Sequence, residues 1–233
     1  MAAQDYFEEL AKYDTPTICN ALEVIDASHR GEGFTRRPLV NPFPDNGSFI
    51  GFARTATIRA THGNEVIGEA AKKQRLDYYQ YFAEDGPTPS VAVIQDLDGP
   101  DAGTGCFWGE VNSNIHKGLG GVGVVTDGGI RDIGDWADGF NALAGCITPS
   151  HAHVHLAGFG QAVRVAGMMV RSGDIIHADR HGAVVIPADK IAKVPEAIDF
   201  MARKEAVILD LAKAPGFTID KLREAMAKQD EIH

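Results

Sequence analysis

The sequence has few cysteines and no long apolar run. Its three cysteines, Cys19, Cys106 and Cys146, are widely spaced and odd in number, so a disulfide framework or a cysteine-based zinc site is not expected. No stretch approaches the roughly 18 apolar residues of a membrane span. Early acidic residues and the lack of an apolar segment argue against a signal peptide. We therefore expect a soluble, cytoplasmic protein with no membrane partner.

Positive charge is also scarce. The chain has 22 Lys and Arg against 32 Asp and Glu, a formal net charge of -10 with a pI of about 5.3. This balance argues against nucleic acid as a partner, because a polyanion would be repelled over most of the surface. A small acidic molecule can still bind where an arginine or a metal cation lies in the site.

What the sequence does contain is an alternation of strand-like and helix-like segments. The apolar runs SVAVIQD (90–96) and VGVV (122–125) are typical of buried strands, and the helical segment between them predicts parallel pairing. From Phe140 onwards, short β-type runs predict a compact antiparallel sheet or partial barrel. Thr15 is predicted to cap a helix whose first residue is Pro16. We expect a single α/β/β domain over 1–233, with N-terminal helices at about 4–25, a core at about 48–188 and C-terminal helices at about 195–230.

The segment TDGGIRDIGDW (126–136) follows one buried strand, and Gly109-Glu110 opens the helix before that strand. In a right-handed crossover both segments project from the same edge of the sheet, where ligands tend to gather. The helix amides from Gly109 to Asn112, together with Arg131, suit a carboxylate, and Glu110 and Asp132 suit a hard cation. An Asp-Gly-Gly turn followed by acids near a helix start is equally typical of a solvated connection, so spacing alone leaves both interpretations open.

The run GEVNSNIHKGLGGVGVVTDGGIRDIGD resembles the signature of proteins similar to regulator of ribonuclease activity A, a family that includes class II pyruvate aldolases. Twenty residues separate Glu110 from Arg131-Asp132, and Asp135 follows at the signature spacing. The likeness extends over roughly Thr15 to Glu205. It implies an α/β/β sandwich of the swivelling β/β/α-like kind, with helical N- and C-terminal segments.

The resemblance also implies roles for individual residues. Asp132 corresponds to the ligand of a divalent cation, Mg²⁺ or Mn²⁺, and Arg131 to the arginine that contacts substrate and stabilises an oxyanion. Glu110 corresponds to an acid that holds a water for proton transfer, although the aldolases commonly have Asp there. The turn formed by Gly109, Glu110, Val111 and Asn112 corresponds to the binding turn for the pyruvyl carboxylate. Asp135 and Asp127 are assigned to structural support.

The activity implied is a metal-dependent cleavage of a 4-hydroxy-2-oxo diacid to pyruvate, with oxaloacetate decarboxylation as a side activity. No lysine lies within the motif's catalytic positions, so a Schiff base is not required. Two alternatives stay open: a non-catalytic binding protein like the ribonuclease E inhibitors, and an enzyme for a different hydroxy or keto acid. The polar residues Asn112, Asn114 and His116 depart from the aldolases and favour the latter. The family also implies a homotrimer or homohexamer with sites between subunits.

The segment TPSHAHVHLAGFG departs from the family pattern. His151, His153 and His155 alternate, so on a strand all three would face one side. They could then bind a transition metal such as Zn²⁺, contact substrate as part of a lid, or form a polar strand face. The sequence leaves these three interpretations open.

Overall fold

The computed structural model describes residues 2–232, and a curled mixed sheet forms the centre of this part of the chain. The strands are β1 (Phe49–Arg59), β2 (Ser90–Asp96), β3 (Cys106–Trp108), β4 (Gly121–Thr126), β5 (Gly129–Ile130), β6 (Asn141–Leu143), β7 (Cys146–Ile147), β8 (His155–Phe159), β9 (Val163–Val165), β10 (Met168–Val170), β11 (Ile175–Asp179) and β12 (Gly182–Ile186). The helices are α1 (Phe7–Leu10), α2 (Thr15–Ile25), α3 (Gly68–Glu84), α4 (Glu110–Gly118), α5 (Val194–Lys213) and α6 (Ile219–Asp230).

The parallel half of the main sheet follows the predicted alternation. Strands β1, β2, β4 and β6 pair in parallel, in that order. Both faces of β1 and β2 are covered, so their sequences are nearly continuous runs of buried residues. The prediction of buried, parallel strands at 90–96 and 122–125 is confirmed.

The region after Phe140 differs from the compact antiparallel sheet that was predicted. Strand β6 extends the parallel sheet, and β7 pairs in parallel with β5. Strands β11 and β8 do run antiparallel, but both pair with the same side of the eleven-residue strand β1, and β12 then pairs with β11. The predicted antiparallel pairing is confirmed for β8 to β12, but these strands do not form a sheet of their own, because β8 and β11 both pair with the long strand β1.

Helices cover one face of the main sheet and a β-hairpin covers the other. Tyr78 and Phe82 of α3 pack with Ile58 and Ile94 of the sheet, while α2 and α5 pack near Phe52. The hairpin β9–β10 packs on the opposite side chains of the same strands, including Val91, Val93 and Val125. Burial of each large apolar side chain contributes about 1.5–3 kcal/mol. The single-domain α/β/β sandwich with helical termini is confirmed.

The start of α2 differs by one residue from the prediction. Asp14, not Thr15, is the N-cap: its Oδ1 accepts the Thr17 amide at 2.9 Å, so Pro16 is the second helical residue. The Thr15 hydroxyl instead lies 3.1 Å from Nδ1 of buried His177, and the other ring nitrogen lies 3.2 Å from the Leu10 carbonyl oxygen. His177 thus ties α1 and α2 to β11.

Among the described helices, none is long and apolar enough to cross a membrane.

Candidate functional site

A second, small parallel sheet carries the two halves of the sequence motif. Strand β5 lies between β3 and β7 in this sheet. The Arg131 amide donates to the Trp108 carbonyl at 3.1 Å, which continues the pairing of β5 with β3. Gly109 follows β3 and Arg131 follows β5, so neighbouring strands bring the two segments to one edge. This arrangement meets the geometric condition on which the motif interpretation depends.

Gly109 lets the two segments come into close contact. It is the residue before α4, and a side chain at this position would collide with Oδ2 of Asp132. The Glu110 amide lies 3.4 Å from the same oxygen. The carboxylate of Asp132 therefore lies at the amide-bearing end of α4, where the helix dipole favours negative charge.

The backbone of Asp132 adopts an unusual conformation. Its φ of 53° and ψ of 43° lie in the left-handed region, which Asp tolerates better than most side chains. The Asp135 amide donates to the Asp132 carbonyl at 3.1 Å and closes a short 3₁₀ turn over Ile133–Asp135. Such conformations cluster at functional sites.

Arg131 and Asp132 form a partly exposed pair. Nε of Arg131 lies 3.5 Å from Oδ2 of Asp132, and the two side chains are 36% and 39% exposed. Oδ1 of Asp132 has no hydrogen-bond partner among residues 2–232. The pair thus offers a guanidinium and a carboxylate oxygen to solvent at one edge of the protein.

The first turn of α4 presents different groups to solvent and to the core. The side chains of Glu110 and Val111 are exposed, and that of Val111 is 69% exposed. Asn112 turns inward: its amide nitrogen donates to the Phe107 carbonyl, and its side-chain oxygen accepts from the Tyr79 hydroxyl at 2.6 Å. The Asn112 side chain therefore anchors the helix. Its backbone amide is one of those in the first turn of α4.

His116 anchors the same helix one turn further on. Its Nδ1 lies 2.7 Å from the Asn112 carbonyl oxygen and its Nε2 lies 2.8 Å from the Tyr78 hydroxyl. Full burial lowers the pKa of His116 to about 4, because the charged imidazolium would be desolvated. The ring lies 4.4 Å from that of Trp108, which is itself buried. His116 is thus a neutral core residue.

Two acids near the motif have backbone roles. Oδ1 of Asp127 accepts the Asp96 amide at 2.8 Å, which links the carboxyl ends of β2 and β4, and burial raises the pKa of Asp127. Asp135 is exposed, and its backbone amide closes the turn at Asp132. These positions agree with supporting roles, and the chemical assignments of all the motif residues stay predictions.

The expected histidine strand does not form. Ala152 has a φ of 42°, and the chain turns at residues 152–153, so β8 begins only at His155. His151 and His153 are exposed, and Nδ1 of His151 and of His155 lies near a local backbone carbonyl oxygen. The premise of one shared strand face was wrong because this left-handed turn interrupts the alternation.

The described residues contain no group of three or more His, Cys, Asp or Glu side chains placed to hold a metal. His151, His153 and His155 therefore do not form such a group within the described residues. This absence does not conflict with Mg²⁺ at Asp132, since Mg²⁺ commonly uses one or two protein carboxylates and completes its octahedron with water and substrate oxygens. The unpartnered Oδ1 of Asp132 fits that hard-cation chemistry.

Sequence reasoning missed the tyrosines that hold α4. Tyr78 and Tyr79 lie on α3, far from the motif along the chain, and contact His116 and Asn112 through their hydroxyls. The polar residues Asn112 and His116, which looked like altered substrate contacts, are the partners of this tyrosine pair. Their spacing of four residues, which places both on one helix face, was the available signal.

Comparison with known proteins places this fold. Residues 15–185 match the RraA-like family, described as Aldolase/RraA, and no curated relative matches the chain. An uncharacterized protein from Pseudomonas syringae pv. tomato str. DC3000 is 20% identical, with 95% of this chain and 98% of that chain covered and a TM-score of 0.68. Streptomyces coelicolor RraAS2, an unusual member of the RNase ES inhibitor RraA protein family, is 21% identical (86% and 93% covered, TM-score 0.66).

The RNA-processing inhibitor RraA from Thermus thermophilis is 20% identical, with 72% of this chain and 92% of that chain covered and a TM-score of 0.51. At these identities the structural likeness shows the fold alone. The family match, in contrast, covers more than half of the chain. This protein therefore belongs to the RraA-like (Aldolase/RraA) family, which includes both aldolases and ribonuclease inhibitors.

Proposed function

We propose that this protein is a divalent-metal-dependent lyase that cleaves a 4-hydroxy-2-oxo diacid to pyruvate by retro-aldol chemistry, with oxaloacetate decarboxylation as a side activity. The observation that carries the proposal is the Asp132 carboxylate, held beside Arg131 at the amide end of α4. A solvated turn does not require a carboxylate, a guanidinium group and helix amides to lie together. A left-handed Asp that fits only against a glycine is the kind of backbone constraint found at functional sites.

Asp132 is the proposed holder of Mg²⁺ or Mn²⁺, through the oxygen that has no partner among the described residues. When bound, such a cation acts as a Lewis acid on a 2-oxo acid's carbonyl. The Gly109 position supports this assignment, because the lack of a side chain there leaves room against the carboxylate.

The other residues of the motif are assigned to different parts of the substrate. The first-turn amides of α4 from Glu110 to Asn112 are assigned to the pyruvyl carboxylate, because the amide-bearing end of a helix favours an anion. The Arg131 guanidinium stabilises the alkoxide that forms when the C4 hydroxyl gives its proton to the water held by Glu110, before the C3–C4 bond breaks and this oxygen becomes a carbonyl. The exposed Glu110 carboxylate holds a water that can deliver a proton to C3 of the pyruvyl fragment.

We propose that the active form is a homotrimer, alone or stacked into a homohexamer, with each site between two subunits. The exposed Val111 side chain supports this arrangement, since it lies in the turn that binds substrate and is 69% exposed in one chain. Burial of such an aliphatic group against a neighbouring subunit is favourable. A site shared between subunits also excludes water more fully than the open edge of one chain.

The second candidate function is ribonuclease inhibition through protein binding. One structural relative is named as an RNA-processing inhibitor, and another as an unusual member of the RNase ES inhibitor RraA protein family. An inhibitor needs only a complementary surface, so the constrained Gly109–Asp132 contact favours the lyase. The two functions differ in their dependence on Asp132 and on metal.

Pyruvate release from a panel of 4-hydroxy-2-oxo diacids and oxaloacetate tests the proposal. Wild-type protein should release pyruvate with Mg²⁺ and lose this activity with a chelator. Asp132→Ala should be inactive, while the matched control Asp135→Ala should retain activity, because only the backbone of Asp135 contacts the motif. Activity on none of the substrates would reject the lyase, and activity that survives chelation or Asp132→Ala would reject the metal mechanism.

A further inference from the structure

A cavity separate from the Asp132 site lies beyond the carboxyl ends of β2 and β4. Its volume is about 810 Å³, within the range of sites for small organic ligands. The residues that line it include three arginines, Arg36, Arg37 and Arg164, and two acids, Asp96 and Asp127. None of Gly109, Glu110, Arg131 or Asp132 lines it.

The three arginines lie on fixed backbone. The amides of Arg36 and Arg37 both donate to the Ala166 carbonyl, at 2.8 and 3.2 Å. Ala166 and Gly167 have positive φ values of 47° and 91°, as in the tight turn that joins paired strands, here β9 and β10. The Arg164 amide donates to the Gln95 side chain at 2.9 Å. Hydrogen bonds thus fix the backbone of all three arginines that carry the guanidinium groups.

Two of these guanidinium groups converge on one acceptor. Arg36 donates to the Gly167 carbonyl at 3.1 Å, and Arg164 contacts the same oxygen at 3.4 Å. One carbonyl cannot neutralise two positive charges, so the two groups repel each other at short range. Within residues 2–232, no carboxylate forms an ion pair with Arg36, Arg37 or Arg164. An anion between them would relieve this repulsion.

The two acids of the cavity do not fill that role, because backbone amides already hold them. Asp96 accepts the Asp98 and Gly103 amides at 3.0 and 2.9 Å, and Asp127 accepts the Asp96 amide. Burial raises the pKa of both carboxyl groups. They remain able to accept hydrogen bonds from hydroxyl groups of a ligand.

We propose that this cavity binds a small phosphorylated metabolite, with the phosphate held by Arg36, Arg37 and Arg164 and hydroxyl groups facing Asp96 and Asp127. A phosphate monoester carries nearly two negative charges at neutral pH and three acceptor oxygens. It therefore satisfies several guanidinium groups at once, and a single carboxylate does not. Asp127 lines this cavity and is joined to Asp132 through the short strand β5, so ligand binding here is positioned to influence that site.

Isothermal titration calorimetry of the full chain with ribose 5-phosphate, ribose and citrate tests the proposal. Ribose 5-phosphate should bind, ribose should not, and added salt should weaken the binding. Arg164→Gln should weaken it at least about tenfold, as expected for loss of a charge-assisted hydrogen bond. The matched control Arg203→Gln, which removes the same charge from α5, should bind like wild type.

Circular dichroism checks that Arg164→Gln folds, and Arg36→Gln provides a second variant from another segment. Stronger binding of citrate than of ribose 5-phosphate would overturn the phosphate assignment. So would no detectable binding of ribose 5-phosphate. Binding that persists in both arginine variants but is lost in Asp132→Ala would move the ligand to the other site. Because Asp132 does not line the cavity, failure of the lyase proposal would leave the expected binding unchanged.

Discussion

The two sides of helix α4 have opposite properties. The outer side, at Glu110 and Val111, is exposed, and the Glu110 backbone amide lies near the Asp132 carboxylate. The inner side, at Asn112 and His116, is tied to the tyrosines of α3. Polarity alone therefore does not identify catalytic residues in this helix. The Glu110 side chain belongs to the candidate site, whereas the side chains of Asn112 and His116 anchor the helix to α3. Substitutions on the outer side should change activity, and those on the inner side should change stability.

Arg131→Gln should show the largest effect. It removes the charge proposed to stabilise the oxygen on C4, so kcat for pyruvate release should fall about 10²–10³-fold. Stability should change little, because the Arg131 side chain is 36% exposed and its pair with Asp132 is solvated. Steady-state kinetics and thermal denaturation measure the two effects. A large drop in Tm with unchanged kcat would place Arg131 among the anchors.

Gly109→Ala should show the next largest effect. The new methyl group would collide with Oδ2 of Asp132 and displace the carboxylate from the end of α4. A misplacement of about 1 Å in a catalytic group can lower activity by up to about 100-fold. The extended backbone of Gly109, with φ of -169°, accepts alanine, so the protein should still fold. Equal activity of variant and wild type would show that the close contact is unnecessary for catalysis.

His116→Gln tests the inner side through pH. In the folded protein the pKa of His116 is lowered from 6.5 to about 4, so the unfolded chain binds the proton more readily between these values. The contribution of neutral His116 to the free energy of unfolding is therefore complete above pH 6.5 and is lost as the pH falls towards 4. Urea denaturation across this range should show a steeper decline for wild type than for His116→Gln, which cannot titrate. Parallel curves would contradict a neutral, buried His116.

Replacement of His151, His153 and His155 by Asn should have the smallest effect. His151 and His153 are exposed, and the contacts of His151 and His155 are with nearby backbone carbonyl oxygens. Stability should change by no more than about 0.5 kcal/mol, and the metal requirement for pyruvate release should be unchanged. A shift in metal preference, measured by titration of Zn²⁺ and Mg²⁺, would restore a ligand role for this segment.

The sequence predicts those parts of the fold that depend on neighbouring residues. The strands at 90–96 and 122–125 were predictable because full burial requires continuous apolar runs. Their parallel order followed from the helix between them, whereas the contact of Gly109 with Asp132 depends on the pairing of β3 with β5, which was not predicted. The turn at Ala152 was not predictable, since alanine gives no signal of a left-handed backbone.

Long-range pairings account for the other failures. Nothing near Phe140 indicates that β8 and β11 share one side of β1, because the partner strand lies about 100 residues earlier in the chain. The cavity is similar: Arg36 and Arg164 come from distant segments and meet only through the Gly167 carbonyl. Charge counts cannot reveal such a local cluster in a chain of net charge -10.

The small parallel sheet sets a strict limit on chain length within the motif. Only Leu119 and Gly120 connect α4 to β4, and only Asp127 and Gly128 connect β4 to β5. One inserted residue in a strand would turn every following side chain to the other face, and would carry Arg131 away from Gly109. Homologous sequences should therefore tolerate insertions between β1 and α3, over residues 60–67, but not between Glu110 and Asp132.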